Sequence, residues 1–487
     1  MKICFINPPF KAKYGKFSRE SRSPAIGHSG VLYYPLWLIY AAALVEKHGF
    51  EVSFIDAPAK QMDFTQCYSV IEKNASDATL FVLDTSTPSI NSDIQFANHL
   101  KVQYPNALIV LVGTHPTATY EETLNDSTGV DLIARREYDL TILELASCLQ
   151  NKKDWKTIEG ISFKENNQII STPDRKPMRN LDDIPMASKF IKEHLDVYDY
   201  AFPAATYPAI QIFTGRGCPA RCNFCVYPQV MHGHVYRKRS AENVVAEFEY
   251  IAQNFPEVKE IVIEDDTFTI DPHRVQQICN MLIEKGLNKR FRWLCNARVA
   301  GINLDTMKLM RKAGCRLIIP GVESYNQQIL KNIHKDTTLE QISQYMENAK
   351  KAGLLVHACY MVGNMGETRE TMERTLKAAL HFNTDTAQFF PLIPYPGTEA
   401  YKWAKENGYI SGNYDEYCHE DGTVSCVLNI PGLSSEDLVN FCSYARKKYY
   451  LRPSYMLHRL YMGLKDPEDM KRSLKAFNTL KKTLLKG

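Results

Sequence analysis

The stretch Thr214-Gly215-Arg216-Gly217-Cys218-Pro219-Ala220-Arg221-Cys222-Asn223-Phe224-Cys225 is the most informative segment of this 487-residue chain. It contains three cysteines in the spacing Cys-x3-Cys-x2-Cys. In a chain with 13 cysteines, this triplet would arise by chance roughly 0.01 times. Thiolates are soft, strongly donating ligands that suit zinc or iron-sulfur iron, and three on one loop can hold three corners of a cluster. The spacing therefore predicts a metal centre in this loop.

A closed zinc site completed by His232 or His234 is the alternative to a cluster. Structural zinc sites usually present paired Cys-x2-Cys or His-x3-His units, whereas this loop has one compact triplet. We therefore favour an iron-sulfur cluster. Three protein ligands for a four-iron cluster leave one iron open to a small molecule.

The cysteine loop follows the first of six predicted strand-helix units. The predicted strands are 210–214, 261–264, 291–295, 317–320, 354–360 and 387–391. Six units in about 190 residues indicate a partial (βα)6 barrel, because eight units typically take about 250 residues. In such barrels the chemistry lies at the carboxyl ends of the strands.

The region before the barrel alternates short apolar strands with helical patterns. Strands are predicted at 3–6, 52–55, 80–83 and 108–112, and helices near 36–48, 64–74, 90–103 and 140–150. Strands buried on both faces and separated by helices indicate a parallel, doubly wound, Rossmann-like sheet. The expected organisation is a sheet domain at 1–150, a linker with a hairpin-like stretch at 151–205, the barrel at 206–400 and a mostly helical region at 401–487.

Composition and charge point to an ordinary globular protein with an unusual tail. Hydrophobic residues make up 45% of the chain and charged residues 23%, which excludes a disordered or collagen-like chain. The longest apolar run, 31–45, is shorter than the roughly 20 residues that cross a bilayer, and the N-terminus lacks the features of a secretory signal. We therefore predict a cytoplasmic, reducing location, where the cysteines do not form a disulfide framework.

The net charge of +3 is an average over unequal parts, because residues 445–487 hold twelve basic and three acidic residues. Apolar residues recur in this tail at near-helical spacing, at Leu474, Phe477, Leu480, Leu484 and Leu485. A basic amphipathic helix of this kind either contacts an anionic membrane surface or docks on the barrel. No nucleic-acid recognition module accompanies the charge, so we predict no nucleic-acid partner.

The remaining ten cysteines mostly fall on strand or helix patterns, where a free cysteine acts as a small hydrophobe. A second cluster at Cys418, Cys426 and Cys442 is the alternative, but its spacings match no compact motif.

The cysteine loop, with Phe224 just before the third cysteine, resembles the motif of the radical S-adenosylmethionine (SAM) enzymes. The resemblance implies that Cys218, Cys222 and Cys225 bind a 4Fe-4S cluster whose open iron chelates SAM. It also implies that an electron from an external donor of the flavodoxin or ferredoxin type cleaves SAM to a 5′-deoxyadenosyl radical, which abstracts hydrogen from the substrate.

Further segments at the predicted strand ends are similar to those of the same family. They are Glu264-Asp265-Asp266, Asn296-Ala297-Arg298, Gly321-Val322-Glu323-Ser324 and the glycine-rich stretch around Gly363. The resemblance implies SAM contacts from Phe224, Glu264, Asp265, Asp266, Arg298, Glu323 and Gly363. A carboxylate after the second strand would hold the positive amino group of SAM.

The N-terminal region resembles the cobalamin-binding branch of this family through Phe5–Pro9, Val112–Thr117 and Arg135-Arg136-Glu137. Val112 and Arg136 depart from the glycines typical of the branch. The motif that supplies an axial histidine elsewhere is absent, so His115 is predicted to line the nucleotide tail. The implied cobalamin residues are Asn7, Pro8, Trp37, Asp84, Thr85, Ser86, Gly113, Thr114, His115 and Glu137.

The resemblance covers residues 1–400, and the tail resembles that of members linked to hopanoid and other lipid modification. It implies an anaerobic enzyme that methylates an unactivated carbon of a small molecule or lipid by way of methylcobalamin. Ring formation, ring contraction or oxidation without methyl transfer, on a lipid or tetrapyrrole, is the alternative within the family. A non-catalytic cobalamin or metal sensor is the alternative of another class. No catalytic side chain beyond the cofactor ligands is predicted.

Overall fold

The computed structural model describes residues 1–27, 30–465 and 470. The chain forms two compact units, each of them discontinuous in sequence. The first comprises Met1–Ala201, Gln211–Asn243 and Ile393–Val427, and the second comprises Phe202–Ile210, Val244–Leu392 and Leu428–Gly487.

The strands of the described chain follow the predicted pattern, with several short additions. In chain order they are β1 Lys2–Asn7, β2 Phe17–Ser18, β3 Ala25–Ile26, β4 Glu51–Asp56, β5 Leu80–Asp84, β6 Leu108–Val112, β7 Leu132–Ala134, β8 Ile161–Glu165, β9 Gln168–Ser171, β10 Ala209–Ile212, β11 Gly215–Arg216, β12 Arg237–Lys238, β13 Glu260–Ile263, β14 Arg292–Ala297, β15 Cys315–Glu323, β16 Leu355–Val362 and β17 Thr386–Pro391.

The α-helices lie between these strands and after the last of them. They are α1 Leu36–Lys47, α2 Phe64–Ala75, α3 Ile90–Gln103, α4 Thr114–Ala118, α5 Tyr120–Asp126, α6 Asp139–Gln150, α7 Ala187–His194, α8 Ala241–Asn254, α9 Pro272–Glu284, α10 Leu287–Arg290, α11 Leu304–Lys312, α12 Gln327–Asn332, α13 Leu339–Ala352, α14 Arg369–Phe382, α15 Glu399–Glu406, α16 Ser435–Tyr450 and α17 Pro453–Lys465.

The first unit contains a seven-stranded sheet in the order β4-β1-β5-β6-β7-β8-β9. The strands from β4 to β7 pair in parallel, and β8 and β9 add to the edge in antiparallel fashion. All five residues of β5 are buried, which explains why it appears in the sequence as a continuous apolar run. The predicted doubly wound sheet is therefore confirmed.

The stretch 151–205 differs from a plain linker because its hairpin joins this sheet. β8 pairs with β7, and β9 pairs with β8. Asn166 and Asn167 both have positive φ, 50° and 62°, as the turn of a tight hairpin requires. Ile161 and Phe163 on β8 are buried, so the hairpin contributes to the core of the first unit.

The second unit contains a six-stranded sheet in the order β10-β13-β14-β15-β16-β17. The strands from β13 to β17 pair in parallel in chain order, with helices between them. Several of these helices begin at a side-chain cap, as α13 does at Thr338 and α14 at Thr368. The prediction of a partial (βα)6 barrel is confirmed.

The region after the barrel contains helices α15, α16 and α17 and one irregular stretch. Residues 407–434 lie between α15 and α16 and form mainly turns, a short 3-10 helix at Tyr414–Tyr417 and isolated bridges. Glycines with positive φ recur there at 408, 412, 422 and 432, which breaks helical periodicity. The apolar positions predicted at 474–485 lie outside the described residues. Among the residues described, no helix is long and apolar enough to cross a membrane.

A buried ion pair stabilises the second unit at the start of β13. Arg316 donates to Glu260 from Nε at 2.7 Å and from Nη2 at 3.0 Å. The side chain of Glu260 is 0% exposed and that of Arg316 is 4% exposed. The backbone N–H of Thr206 also donates to this carboxylate, at 2.5 Å. Removing the carboxylate would leave a buried cation without its partner.

We therefore expect Glu260→Ala to lower the free energy of unfolding by about 3–5 kcal/mol, measured by urea denaturation. Glu249→Ala is the matched control, because Glu249 pairs with Lys285 at 2.7 Å on the surface. It should change stability by less than about 1 kcal/mol. Equal effects of the two substitutions would contradict the role given to Glu260.

Candidate functional site

The three motif cysteines lie on the loop that connects β11 and β12 in the first unit. Cys218 and Cys222 are each 9% exposed, and Cys225 is half-buried. Gly217 begins the loop with a φ of +88°, and a Cβ there would lie 2.2 Å from the carbonyl oxygen of Val235. Only glycine fits this close backbone approach.

Two side chains organise the backbone of the cysteine loop. The amide Nε2 of Gln229 donates to the carbonyl oxygens of Cys222 at 3.2 Å and of Cys225 at 2.9 Å. Nδ1 of His234 lies 3.2 Å from the carbonyl oxygen of Cys218 and 2.8 Å from that of Ala220. The backbone of the loop is thus held by contacts with its own carbonyl groups.

The donor set of the loop fits an iron-sulfur cluster. None of the three cysteines is in a disulfide. The predicted zinc alternative needs His232 or His234, but Nδ1 of His234 faces backbone carbonyls, and the ring of His232 stacks on Trp37 at 5.6 Å. Three soft thiolates in one compact triplet suit a cluster with one open iron. Phe224 lies on the same loop and is half-buried.

In the second unit, the predicted SAM residues lie where β13 and β14 end. Glu264 and Asp265 follow β13, and Nδ2 of Asn296 donates to Oε1 of Glu264 at 3.3 Å and to the carbonyl of Asp265 at 3.1 Å. Asp266 follows directly and is half-buried. Arg298 follows β14, and its Nη2 donates to the carbonyl of Asp336 at 3.4 Å. These side chains therefore share one edge of the barrel sheet.

Glu323 ends β15 in an unusual conformation and with a partner that the sequence did not suggest. Its φ is +64°, in the left-handed region that non-glycine residues rarely adopt. Nζ of Lys335 lies 3.0 Å from its Oε1, and both side chains are 8% exposed. Gly363 follows β16 with a φ of +86°, and a Cβ there would contact Leu438 of α16 at 2.8 Å. Packing against α16 explains this glycine.

Apart from Trp37, which lies on α1, the predicted cobalamin residues follow the carboxyl ends of strands in the first unit. Arg19, which sequence reasoning missed, connects several of these ends. Its Nη1 donates to Oδ1 of Asn7 at 2.7 Å and to the carbonyl of Pro8 at 2.6 Å, and its Nη2 donates to Asp93 at 2.6 Å. The hydroxyl of Thr85 donates to the same Asp93 at 2.7 Å. One buried cation thus organises the loops after β1 and β5.

Among the described residues, two side-chain oxygens at this edge have no hydrogen-bond partner. They are Oδ2 of Asp84 and the hydroxyl of Tyr138, both in buried side chains. Burial raises the pKa of Asp84 to about 7. An unpaired buried polar group costs about 1–3 kcal/mol, so both atoms favour a ligand that supplies hydrogen-bonding groups. The corrin ring of cobalamin carries several primary amides, and the two atoms fit that chemistry.

The loops after β5 and β6 approach each other closely at Gly113. This residue has a φ of +115°, and a Cβ there would lie 2.2 Å from the carbonyl oxygen of Thr85. Thr114 begins α4 directly after it. Ser86 turns inward, with its hydroxyl 2.9 Å from that of Ser89.

His115 is a buried, neutral imidazole. It is 2% exposed, and burial lowers its pKa to about 3. Its Nδ1 lies 3.1 Å from the hydroxyl of Thr87, and its ring meets Tyr414 edge-on at 4.6 Å between centroids. The predicted contact with a nucleotide tail stays a prediction.

Trp37 and Glu137 contact residues next to the cysteine loop. The guanidinium of Arg216 lies 4.4 Å from the centre of a Trp37 ring. Both carboxylate oxygens of Glu137 accept hydrogen bonds from Arg237. Their predicted roles toward cobalamin also stay predictions.

The other cysteines are largely packed in apolar surroundings. Cys418 clusters with Phe10, Phe17 and Ile26. Burial raises the pKa of Cys67 to about 12, so its thiol is protonated at neutral pH. Buried, protonated thiols of this kind act as small hydrophobes.

Comparison with protein families gives two matches. Residues 212–379 match the radical SAM superfamily, and residues 22–146 match the B12 binding domain. An uncharacterized methyltransferase of Pyrococcus horikoshii is 30% identical over 95% of this chain and 95% of its own length. An anaerobic magnesium-protoporphyrin IX monomethyl ester cyclase of Cereibacter sphaeroides is 26% identical over 93% of this chain and 71% of the relative. Hopanoid C-3 methylase of Methylococcus capsulatus is 22% identical over 77% of this chain and 69% of the relative.

Among solved structures, the radical SAM methyltransferase TsrM of Kitasatospora setae, with cobalamin and a [4Fe-4S] cluster bound, has the same fold. Its TM-score is 0.67 at 16% identity, over 91% of this chain and 90% of that one. The family matches cover the cysteine loop and the sheet that carries Asp84. The chain therefore belongs to the radical SAM superfamily, in the branch with an N-terminal B12 binding domain, and it is an enzyme whose cofactors are SAM, a 4Fe-4S cluster and cobalamin.

Proposed function

We propose that this enzyme methylates an unactivated carbon of a small molecule. The observation that carries the proposal is the presence, in one chain, of a loop with the three motif cysteines and a parallel sheet with unpaired polar atoms at its carboxyl edge. When bound, the cluster and SAM supply a 5′-deoxyadenosyl radical, and cobalamin supplies a methyl carrier. The electron comes from an external donor of the flavodoxin or ferredoxin type.

Cys218, Cys222 and Cys225 are the proposed cluster ligands. For SAM, the carboxylates of Glu264 and Asp265 are the proposed acceptors for the amino group, because charge-assisted hydrogen bonds to a cation are the strong ones. The guanidinium of Arg298 suits the carboxylate of SAM for the same reason. These assignments are supported by their common position at one edge of the barrel sheet.

Glu323 is proposed to contact the ribose of SAM. Lys335 already neutralises its charge at 3.0 Å, so it has less to gain from a second cation. A carboxylate fixed in this way still accepts hydrogen bonds from hydroxyl groups through its remaining lone pairs.

For cobalamin, Oδ2 of Asp84 is the proposed acceptor for an amide N–H of the corrin. Tyr138 is proposed to supply its hydroxyl to another amide. Both atoms are buried and unpaired in the protein alone. Gly113 keeps the loops after β5 and β6 close together beside them.

Ring formation is the second candidate function, because the cyclase of Cereibacter sphaeroides is similar over 93% of this chain. That chemistry would use the same radical start and leave the methyl group of SAM out of the product. The two functions are therefore distinguished by the fate of the methyl group.

To test the function, reconstituted enzyme is incubated with a reductant, a metabolite extract and SAM that carries a deuterated methyl group. Mass spectrometry should find a product that contains the label, together with 5′-deoxyadenosine. A product without label would overturn methyl transfer and favour ring formation.

Replacement of Cys218, Cys222 and Cys225 by alanine should abolish deoxyadenosine formation, whereas Cys148→Ala, on α6, should not. Undiminished deoxyadenosine in the triple variant would refute the cluster assignment.

For the cobalamin site, Asp84→Ala should weaken hydroxocobalamin binding about tenfold, measured by absorbance titration. Amide donors favour the carboxylate form, so binding by the unsubstituted chain should strengthen as the pH rises through about 7, and Asp84→Ala should remove that dependence. Asp77→Ala is the control, because Asp77 pairs with Lys2 on the surface. Unchanged affinity in Asp84→Ala would exclude the proposed contact.

Peripheral contact with an anionic membrane surface is proposed for α17. Its exposed apolar residues fall on one helical face, and the exposed fractions reach 67% at Leu457 and 75% at Leu464. The tail that contains α17 is strongly basic. Apolar insertion combined with attraction to anionic lipid is the binding mode of interfacial helices. Docking of later tail residues on this face is the alternative.

Substitution is a better test of this surface than deletion from residue 445, because Tyr449 is buried and its hydroxyl donates to the carbonyl of Thr384 at 2.5 Å. The combined variant Leu457→Glu and Leu464→Glu should lose flotation with phosphatidylglycerol vesicles. Val102→Glu, at a residue that is 80% exposed on α3, should not lose it. If the unsubstituted chain, the double variant and Val102→Glu float equally, or if none of them floats, the proposed membrane contact of α17 is wrong.

A further inference from the structure

The two ends of the cysteine loop carry arginines that face each other. Gly215 pairs with Lys238, and Arg216 pairs with Arg237, in the short antiparallel ladder of β11 and β12. Arg216 is 3% exposed and Arg237 is 9% exposed. Two buried guanidinium groups side by side require carboxylates nearby.

Glu137 and Asp139, at the start of α6, supply these carboxylates. Arg216 donates to Asp139 in a bidentate manner, from Nη1 at 2.8 Å and from Nη2 at 3.1 Å. Arg237 donates to Glu137 from Nη1 at 3.0 Å and also from Nη2. Nη1 of Arg216 further donates to Glu137 at 3.3 Å, so Glu137 connects the two arginines. Two cations and two anions form a buried, charge-balanced group, which we call the loop clamp.

The loop clamp also contacts the interior of the cysteine loop and its surroundings. Arg237 donates to the carbonyl of His232 within the loop at 3.3 Å and to that of Met178 at 2.9 Å. Trp37 lies against the guanidinium of Arg216. Burial disfavours the charge of Arg216, yet Asp139 and Glu137 outweigh it and raise its pKa. The guanidinium is therefore held charged and fixed on several sides.

We propose that Glu137 and Asp139 are positioning residues for the iron-sulfur cluster. They fix both ends of the loop that carries its ligands, and they belong to the part of the chain that matches the B12 binding domain, whereas Arg216 and Arg237 lie in the radical SAM match. The inference rests on the proposed cluster site. It assigns to Glu137 a role toward the cluster loop that the sequence had directed to cobalamin.

The test compares Glu137→Gln with Asp174→Asn after anaerobic reconstitution. Asp174 is the matched control, because it pairs with Arg135 at 2.8 Å but is 48% exposed. Release of iron to a ferrous chelator should be about tenfold faster in Glu137→Gln than in the unsubstituted chain. The electron paramagnetic resonance spectrum of its reduced cluster should also differ, with and without SAM. Asp174→Asn should match the unsubstituted chain in both measurements.

Far-ultraviolet circular dichroism and the midpoint of urea denaturation report whether each variant is folded. If Glu137→Gln fails this check, Asp139→Asn is used in its place. The asparagine retains one acceptor oxygen for Arg216, so the increase in iron release and the change in the spectrum should be smaller than those expected for Glu137→Gln. Iron release and spectra equal to those of the unsubstituted chain, in a variant that is folded, would overturn the role of the loop clamp. Failure of the unsubstituted chain to hold iron through its three cysteines would instead refute the proposed function on which the inference rests.

Discussion

A guanidinium that leaves water must find its counter-charge inside the protein, and Arg216 meets this requirement through Asp139 and Glu137. The cysteine loop depends on this constraint because Arg216 stands two residues before Cys218. The loop has little regular structure of its own, apart from a π-helical turn at Tyr227–His232. Its shape is determined at the ends by ion pairs and in the middle by hydrogen bonds to its carbonyl groups.

Buried charged groups at the carboxyl edge of the N-terminal sheet also find partners inside the protein, but one carboxylate there keeps an unpaired oxygen. Arg19 is bound to Asp93 and Asn7, and Asp56 accepts hydrogen bonds from Asn7 and Tyr200. Asp84 lies in the same region but keeps one oxygen unpaired. Arg19, Asn7 and Asp56, which hold these strand ends together, thus find hydrogen-bond partners within the protein. The residue that is left unsatisfied lies where ligands of doubly wound sheets bind.

Local sequence patterns predicted most of the secondary structure because burial on both faces leaves long apolar runs, as in β5 and β6. They indicated the hairpin-like stretch within 151–205 but not that β8 and β9 join the sheet, because strand pairing between distant segments leaves no local pattern. Arg19, Tyr138 and Lys335 were missed for a similar reason. The charged groups near them, Asp93 for Arg19, Asp84 for Tyr138 and Glu323 for Lys335, are distant in sequence or separated by a helix, and such proximity leaves no periodic pattern to detect.

Glu323 shows why the details of the site exceed what a motif conveys. The Gly-Val-Glu-Ser segment identified the residue, but not its positive φ or the ion pair with Lys335. A left-handed backbone at a non-glycine residue costs of order 1–3 kcal/mol and persists only where surrounding contacts compensate for it. A buried ion pair with Lys335 is such a contact, and it directs the carboxylate over Gly321, where a Cβ would lie 2.3 Å from Oε1. The glycine in the segment is therefore explained by the space that the carboxylate of Glu323 occupies.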